Sequence, residues 1–503
     1  MRNVQSVDVR RVNLPLRLVF LDELAGFVGP RRHVRSPLDY TLEALERRIV
    51  FSAGDLDPTF GNGGLAFPAA PSNGSILMDI GADGRIVLGV VDTHTSLSHL
   101  MRYTPDGQLD LSFGDGGGVN FEFTPPGGAW GGVEEFTDLV VLPNDKIIAL
   151  GNNLAGMTNI RTAMHGFNAD GSVDTSFGDN GVVVLDNLGW PQMRAGADGR
   201  IFLFAGTLSA TRDGLVLCFN GDGSPDLTFG DHGRVQIDFG VDEEIRTAAI
   251  GPAGEIVVVL MSQPWESSAG VDIVRLTPQG QLDPTFGQDG KTFIERPQSR
   301  LVFSDRVCVM SDGRIVFSGV AYGEATDVPP EKFVTRLRTD GSLDSSFGDG
   351  GTASAPGVST LLEVQADGKL VFAATRPGLD GNDQTLLSRL TAEGRPDESF
   401  GEDGIRIHDL GPMSESVGSL KLTLHGDILI AGTIGGALSL AQFDAGELSA
   451  PPPDEPATPP HTTFNDVRPV GTVEEETPAA FRAWADDLLD PDADEEQLLA
   501  GLI

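Results

Sequence analysis

The chain is poor in the residues that mark several classes of protein. It has two cysteines in 503 residues, Cys218 and Cys308, which excludes a disulfide scaffold. Both sit in apolar runs, where a small buried hydrophobe is the ordinary occupant. Lysine occurs five times and the formal net charge is −38, so a phosphate backbone or an anionic membrane surface finds no cationic footprint. No apolar run reaches the roughly 18 residues that a membrane-spanning helix needs. The stretch from Leu14 to Val28 is broken by Pro15, Arg17, Asp22 and Glu23 and makes a poor secretory core.

Signals of site chemistry are equally sparse. There is no Gly-x-Ser-x-Gly elbow, and the eight histidines and two cysteines show no metal spacing. Asp490, Asp492 and Asp494 begin like an EF-hand loop, but Glu495 stands where glycine is needed and Gly501 where the bidentate glutamate belongs. Glycine-rich runs such as Gly114 to Gly118 have no helix after them to complete a phosphate cradle. The expectation is no cofactor and no catalytic residue. Weak calcium binding by the plentiful but ungrouped carboxylates stays open.

What the sequence does have is a repeat. The block Asp-x-(Ser/Thr)-Phe-Gly occurs seven times, at intervals of 52 to 64 residues. Its copies are Asp57, Phe60 and Gly61; Asp110, Phe113 and Gly114; Asp174, Phe177 and Gly178; Asp226, Phe229 and Gly230; Asp283, Phe286 and Gly287; Asp344, Phe347 and Gly348; and Asp397, Phe400 and Gly401. Between copies the apolar pattern has period two, with a hairpin signal such as Asp83-Gly84, Asp198-Gly199, Asp312-Gly313 or Asp367-Gly368 at a fixed place. Each unit reads as four short strands, A to D, after its block. The fold class is all-β, a seven-bladed β-propeller of four-stranded antiparallel blades. The block reads as a structural corner, in which Asp bonds nearby amides, Gly takes a positive φ and Phe plugs the gap between blades. One strand is left over. Arg48 to Ser52 aligns with the D strand that precedes every other block, and is expected to join the last blade and close the ring.

The block Asp283-Pro284-Thr285-Phe286-Gly287-Gln288-Asp289-Gly290, together with the Asp-Gly-(Lys/Arg) hairpins, resembles the bacterial delta-60 repeat over roughly residues 55–447. That resemblance implies a propeller-like extracellular or surface protein without a general catalytic residue. A second stretch, Leu45-Glu46-Arg47-Arg48-Ile49-Val50-Phe51-Ser52-Ala53, is similar to the Leu-Glu-x-Arg-x-Leu-Leu-Ser-Ala motif near the N-termini of large exported planctomycete proteins. Val50 and Phe51 replace its leucines; the implication is export, against a plain helix-to-strand junction.

Four regions follow. Residues 1–47 form a leader or arm with a short helix from Pro37 to Arg47, started by Ser36 and Pro37. Residues 48–444 form the propeller, 445–476 a proline-rich linker, and 477–503 a largely disordered acidic tail. Phe481, Trp484, Ala485 and Leu488 fall at helical spacing within that tail and mark a short amphipathic helix.

In an up-and-down meander the D-to-A corners and B-to-C hairpins share one face, and the A-to-B and C-to-D loops share the other. The second face carries the irregular insertions. Trp130, Trp190, Trp265 and Tyr322 fall there, beside Glu134, Glu135, Glu266, Glu324 and Asp327. Aromatics on irregular loops over a rigid scaffold suit recognition, the other use being packing on their own blade. The functional expectation is an extracellular or cell-surface binding or scaffold module for a glycan or protein, with no nucleic acid and no membrane span. Two alternatives remain: a carbohydrate- or phosphoester-processing enzyme using channel carboxylates, and a structural surface-layer component. Raised carboxyl pKa values clustered in the channel would mark the enzyme, and exposed aromatics the binder.

Overall fold

The computed structural model describes residues 52–446 apart from 71–73, 93–94, 96, 124–132, 155–159, 187, 208–212, 241–242, 263–269, 297–298, 324–329, 355–360 and 380. Twenty-eight strands form seven four-stranded antiparallel sheets, and no helix occurs among the described residues. The helices expected at Pro37–Arg47 and around Trp484, and the strand expected at Ile49–Phe51, lie outside the described residues.

Blade 1 consists of Ile76–Ile80, Ile86–Asp92, Leu97–Tyr103 and Gly118–Phe121, paired in that order. Each sheet therefore takes strands B, C and D of one sequence unit and strand A of the next. The B strands of neighbouring blades lie against one another around the axis, and the A strands form the rim. The stagger also shows which described strand closes the ring, while the expected one at Ile49–Phe51 lies outside the described residues. The strand that completes blade 7 is Leu65–Ala66, which pairs with Ala437–Phe443 as Leu65 opposite Ala441 and Ala66 opposite Leu440. The spare strand is thus the A strand of the first unit, because the blade boundary falls one strand after the sequence boundary.

Burial follows from radial sheets that pack on both faces. Phe202, Phe204 and Cys218 of blade 3 meet Ile245, Ala248 and Ile256 of blade 4 in one apolar cluster, and the other seams are built alike. The seven block phenylalanines are 0 to 1% exposed. Burying each contributes about 1.5–3 kcal/mol. The block glycine has no substitute: at Gly114 φ is +54°, and a Cβ would stand 2.2 Å from the Gly118 carbonyl oxygen.

The block aspartate does more than turn the chain. One carboxylate oxygen of Asp344 accepts from the amide and hydroxyl of Ser346 (3.2 and 2.7 Å), and the other accepts from Arg336 Nε at 2.8 Å. Arg336 stacks over Phe347, 4.7 Å from the ring centre, and donates to the Ala392 carbonyl of the next blade. Arg102, Arg275 and Arg389 repeat this arrangement on Asp110, Asp283 and Asp397. Blades 2 and 3, with Gly166 and Cys218 at the arginine's place, use Lys146 on Asp174 (2.6 Å) and Arg200 on Asp226 (3.3 Å) from the hairpin strand instead. Six corner aspartates thus each hold a cation, and five of those cations, Arg102, Arg200, Arg275, Arg336 and Arg389, also donate to a carbonyl of the next blade.

The closing seam does not. Gln442 occupies the arginine's place, donating to Asp57 at 3.0 Å while its own side-chain oxygen is buried without a partner. Asp427 stands where five of the other six hairpins carry Arg or Lys, and burial pushes its carboxyl above the ordinary carboxylate range. Gln442→Arg should therefore stabilise the protein by about 1–2 kcal/mol, because it supplies the missing charge-assisted bond to Asp57 and a cation over Phe60. Equilibrium urea unfolding of the two proteins measures this, and an unchanged or lowered stability would refute the equivalence of the seams.

Candidate functional site

Of the four aromatic residues marked in the sequence, two can be placed. Trp130 and Trp265 lie outside the described residues. Trp190 sits near the start of the inner strand Leu188–Ala195, at the loop-face end of blade 3. The pairing with the next strand slips between Gly189 and Gln192, so Trp190 and Pro191 form a bulge. Trp190 has φ of +48° and is 71% exposed, while its neighbours Gly189 and Pro191 are buried. A left-handed backbone at a bulky residue costs about 1–3 kcal/mol and here turns the indole into solvent. Packing on its own blade is thus ruled out for Trp190.

Tyr322 ends the strand Ile315–Gly323 on the same face, in blade 5. It is 37% exposed, with its ring edge-on to Phe303 at 5.9 Å. Phe67, Leu379 and Met413 add exposed apolar surface to this face. The structure thus puts Trp190 and Tyr322 on one face and leaves them in different blades.

The axis carries a second group of residues. Four inner strands bulge at corresponding places, between Phe136 and Asp138, Ile245 and Thr247, Ser304 and Arg306, and Val417 and Ser419. Asp138 takes the Met193 amide (2.8 Å) and Arg194 (3.2 Å) of blade 3. Asp79 takes the Val141 amide of blade 2 (2.8 Å) and Lys421 of blade 7 (3.0 Å). Arg306 of blade 5 and Glu363 of blade 6 stand among them. Glu363 feels the charges of Lys421, Arg306, Asp79 and Arg194, and Arg306 feels those of Arg194, Asp138 and Glu363. Groups that sense blades on opposite sides of the ring sit near its axis. Burial raises the Glu363 carboxyl above its usual range, although Lys421 and Arg306 oppose the shift. The sequence missed this set, because each member is a single polar residue in an otherwise apolar inner strand.

At the corner face the channel opens into a depression of about 480 Å³ lined by Ala82, Val141, Pro143, Ile250 and Ser311. Both thiols are inert: burial pushes Cys218 and Cys308 up to about 12. Asp213, Asp238 and Glu243 bring carboxylate oxygens within 4.8 Å of one another, an all-oxygen set of the kind hard cations use. Their protein bonds account for them as loop staples. Gln236 donates to Asp213 (2.7 Å), the Gly240 amide to Asp238 (2.7 Å) and the Phe239 amide to Glu243 (2.9 Å). At the same place in blade 7, Glu415 holds the Leu410 amide together with the amide and hydroxyl of Thr385.

The sequence matches a family model described as a β-propeller domain of unknown function (DUF5122) at residues 81–113, 196–229, 311–347 and 365–400. Each match runs from a B-to-C hairpin to the following corner block, so the chain is a β-propeller repeat protein. No curated protein matches it. Among solved structures it is similar to the polysaccharide lyase Uly1, with 12% identity over 76% of this chain and 92% of that one and a TM-score of 0.45. An ulvan lyase of family PL25 shows 11% identity, 78% and 96% coverage and a TM-score of 0.43. Drosophila plexin A, in complex with semaphorin 1b, shows 10% identity, 78% and 88% coverage and a TM-score of 0.39.

Proposed function

We propose that the ring is a non-enzymatic recognition module of the cell surface or extracellular space, which takes a glycan or protein partner on its loop face. The observation that carries this reading is Trp190. A solvent-facing indole held in left-handed backbone costs stability, and a residue retained at such a cost is more readily explained by a contact than by packing. Tyr322 and the exposed Phe67 and Met413 extend the apolar surface on that face, and Trp and Tyr are enriched where partners bind.

Burial raises three described carboxyls, Asp305, Glu363 and Asp427, and of these Glu363 is the one the enzyme reading finds among the charges at the axis. Its nearest candidate partners, Asp79 and Asp138, are each tied to a backbone amide and a cation. A single available carboxyl is half of an acid–base pair.

Trp190→Asn separates recognition from folding, since asparagine accepts left-handed backbone. Binding of the full chain to its best glycan-array or extracellular-protein hit should fall at least tenfold in this variant. Stability should hold or rise by up to about 1 kcal/mol. Undiminished binding would remove Trp190 from the contact surface, and a matching loss of stability would make it a packing residue.

A further inference from the structure

The corner-face mouth of the axis is apolar in a chain whose net charge is −38. The residue that opens the tip of each B-to-C hairpin is exposed and uncharged in all seven blades, from Ala82 and Pro143 to Leu424, which is 62% exposed. Below these tips each inner strand ends in a half-buried aliphatic side chain, Ile80, Val141, Ile250 and Leu422 among them. In blades 1 to 5 these positions line the depression of about 480 Å³, a volume in the range of ligand pockets. The charged side chains of the same hairpins pair among themselves, Arg200 with Asp198 and Arg314 with Asp312, and do not line it. A continuous exposed apolar surface ringed by polar groups marks a place where something docks.

We propose that this mouth seats a segment of the same chain, residues 477–489, as an amphipathic helix with Phe481, Trp484, Ala485 and Leu488 against the depression. The place where the described chain ends argues for this occupant. The Ala445 amide donates to Asp427 at 3.3 Å, in the hairpin whose tip is Leu424, so the chain leaves beside the mouth. The 30 residues from 447 to 476 span about 30 Å as a flexible coil. Strand D, which carries the exit, lies only about 10 Å outside the inner strand. Tethering over that distance gives an effective concentration of about a millimolar. The apolar residues recur at i, i+3, i+4 and i+7, the spacing by which a helix presents one side to a hydrophobic groove. A helix of 13 residues is marginal alone in water, so docking supplies the burial that forms it. The segment adds Asp486 and Asp487 to an already acidic chain, so burial of the two aromatic rings, and not charge, holds it.

The seat lies on the face opposite Trp190, so its test is independent of the recognition surface. A bimane dye, whose emission tryptophan quenches on contact, is attached to the full chain through Ser311→Cys. Ser311 is exposed at the depression, and both native thiols are inert. Emission should be at least threefold lower than in the same protein carrying Trp484→Phe, which removes the quencher and keeps the apolar stripe. Leu424→Asp with Pro252→Asp, both at exposed positions, should restore the emission. Sodium chloride at about 0.5 M should leave the quenching in place or deepen it, because salt screens repulsion between acidic groups. Tenfold dilution should change nothing, since the helix belongs to the same chain. Thermal unfolding of each variant controls for folding, and Trp484→Phe leaves the residues of the ring untouched. Equal emission with and without Trp484, quenching that survives the two aspartates, or quenching that fades on dilution, as it would if a second copy supplied the tryptophan, would each overturn the proposal.

Discussion

Replacing Arg389 with methionine should destabilise the protein by about 3–5 kcal/mol, the usual cost of removing one partner from a buried ion pair. Arg389 is 2% exposed and no water can take over its bonds. Its Nε donates to Asp397 at 2.8 Å, its other nitrogens reach Ser399 and the Ala445 carbonyl, and its plane lies 4.6 Å from the centre of Phe400. Methionine fills much of the volume and can lie on the ring, so the loss reports charge and hydrogen bonds rather than a cavity. Asp397 would keep its bonds from Ser399 but be left as a buried carboxylate with Lys369, at 3.6 Å, as its remaining cation. Because Ala445 follows the strand Ala437–Phe443, the variant also loosens the segment that meets Gly54 to Asp57. Urea unfolding of both proteins gives the difference. A change under about 1 kcal/mol would show that the repeated Arg–Asp tie is ornamental.

The second large effect is loss of the fold in acid. Burial alone would raise the carboxyls of Asp110, Asp174, Asp226, Asp283, Asp344 and Asp397, but bonds from the Ser or Thr two residues on and from the paired Arg or Lys outweigh it. All six are therefore held below the ordinary range, Asp344 at about 2. A depressed folded pKa gives stability that is fully present above the unfolded value of about 3.8 and disappears as pH falls through the folded value. For Asp344, 6% exposed at its side chain, this amounts to about 2 kcal/mol. Asp427 and Glu363 act with the opposite sign. Their raised carboxyls favour the fold when protonated, and that contribution is lost as pH rises through their folded values. With a net charge of −38 at pH 7, mild acidification also relieves self-repulsion. Stability should rise from pH 7 towards pH 5 and collapse between about pH 4 and 2. Asp344→Asn should be weaker at pH 7 yet lose less on acidification. A flat profile down to pH 2 would mean that the corner carboxylates contribute nothing to holding the blades.

The number of blades and the corner role of the block were legible because both recur: seven Phe-Gly pairs at similar spacing specify seven equivalent seams. The blade boundary was not legible, since strand A carries the same alternation whichever sheet it joins. Only the pairing of Leu65 with Ala441 reveals the stagger. The arginine eight residues before Asp110, Asp283, Asp344 and Asp397 was written in the sequence and could have been found by the spacing that located the blocks. Lys146 and Arg200 could not, because they reach the same carboxylate from a different strand. Trp190 was visible as a loop aromatic, but its left-handed backbone follows from a bulge that no periodicity signals. Arg306 and Glu363 escaped notice for a related reason: convergence on an axis is a property of the circle, and sequence distance hides it.

The pairing of Leu56 with Phe443 and the bond from the Gly54 amide to the Asp444 carbonyl bring the two ends of the described chain side by side at one seam, on the corner face. The opposite side, bearing Trp190 and Tyr322, faces away from the point where both ends of the described chain meet, like the front of a dial turned from its stem.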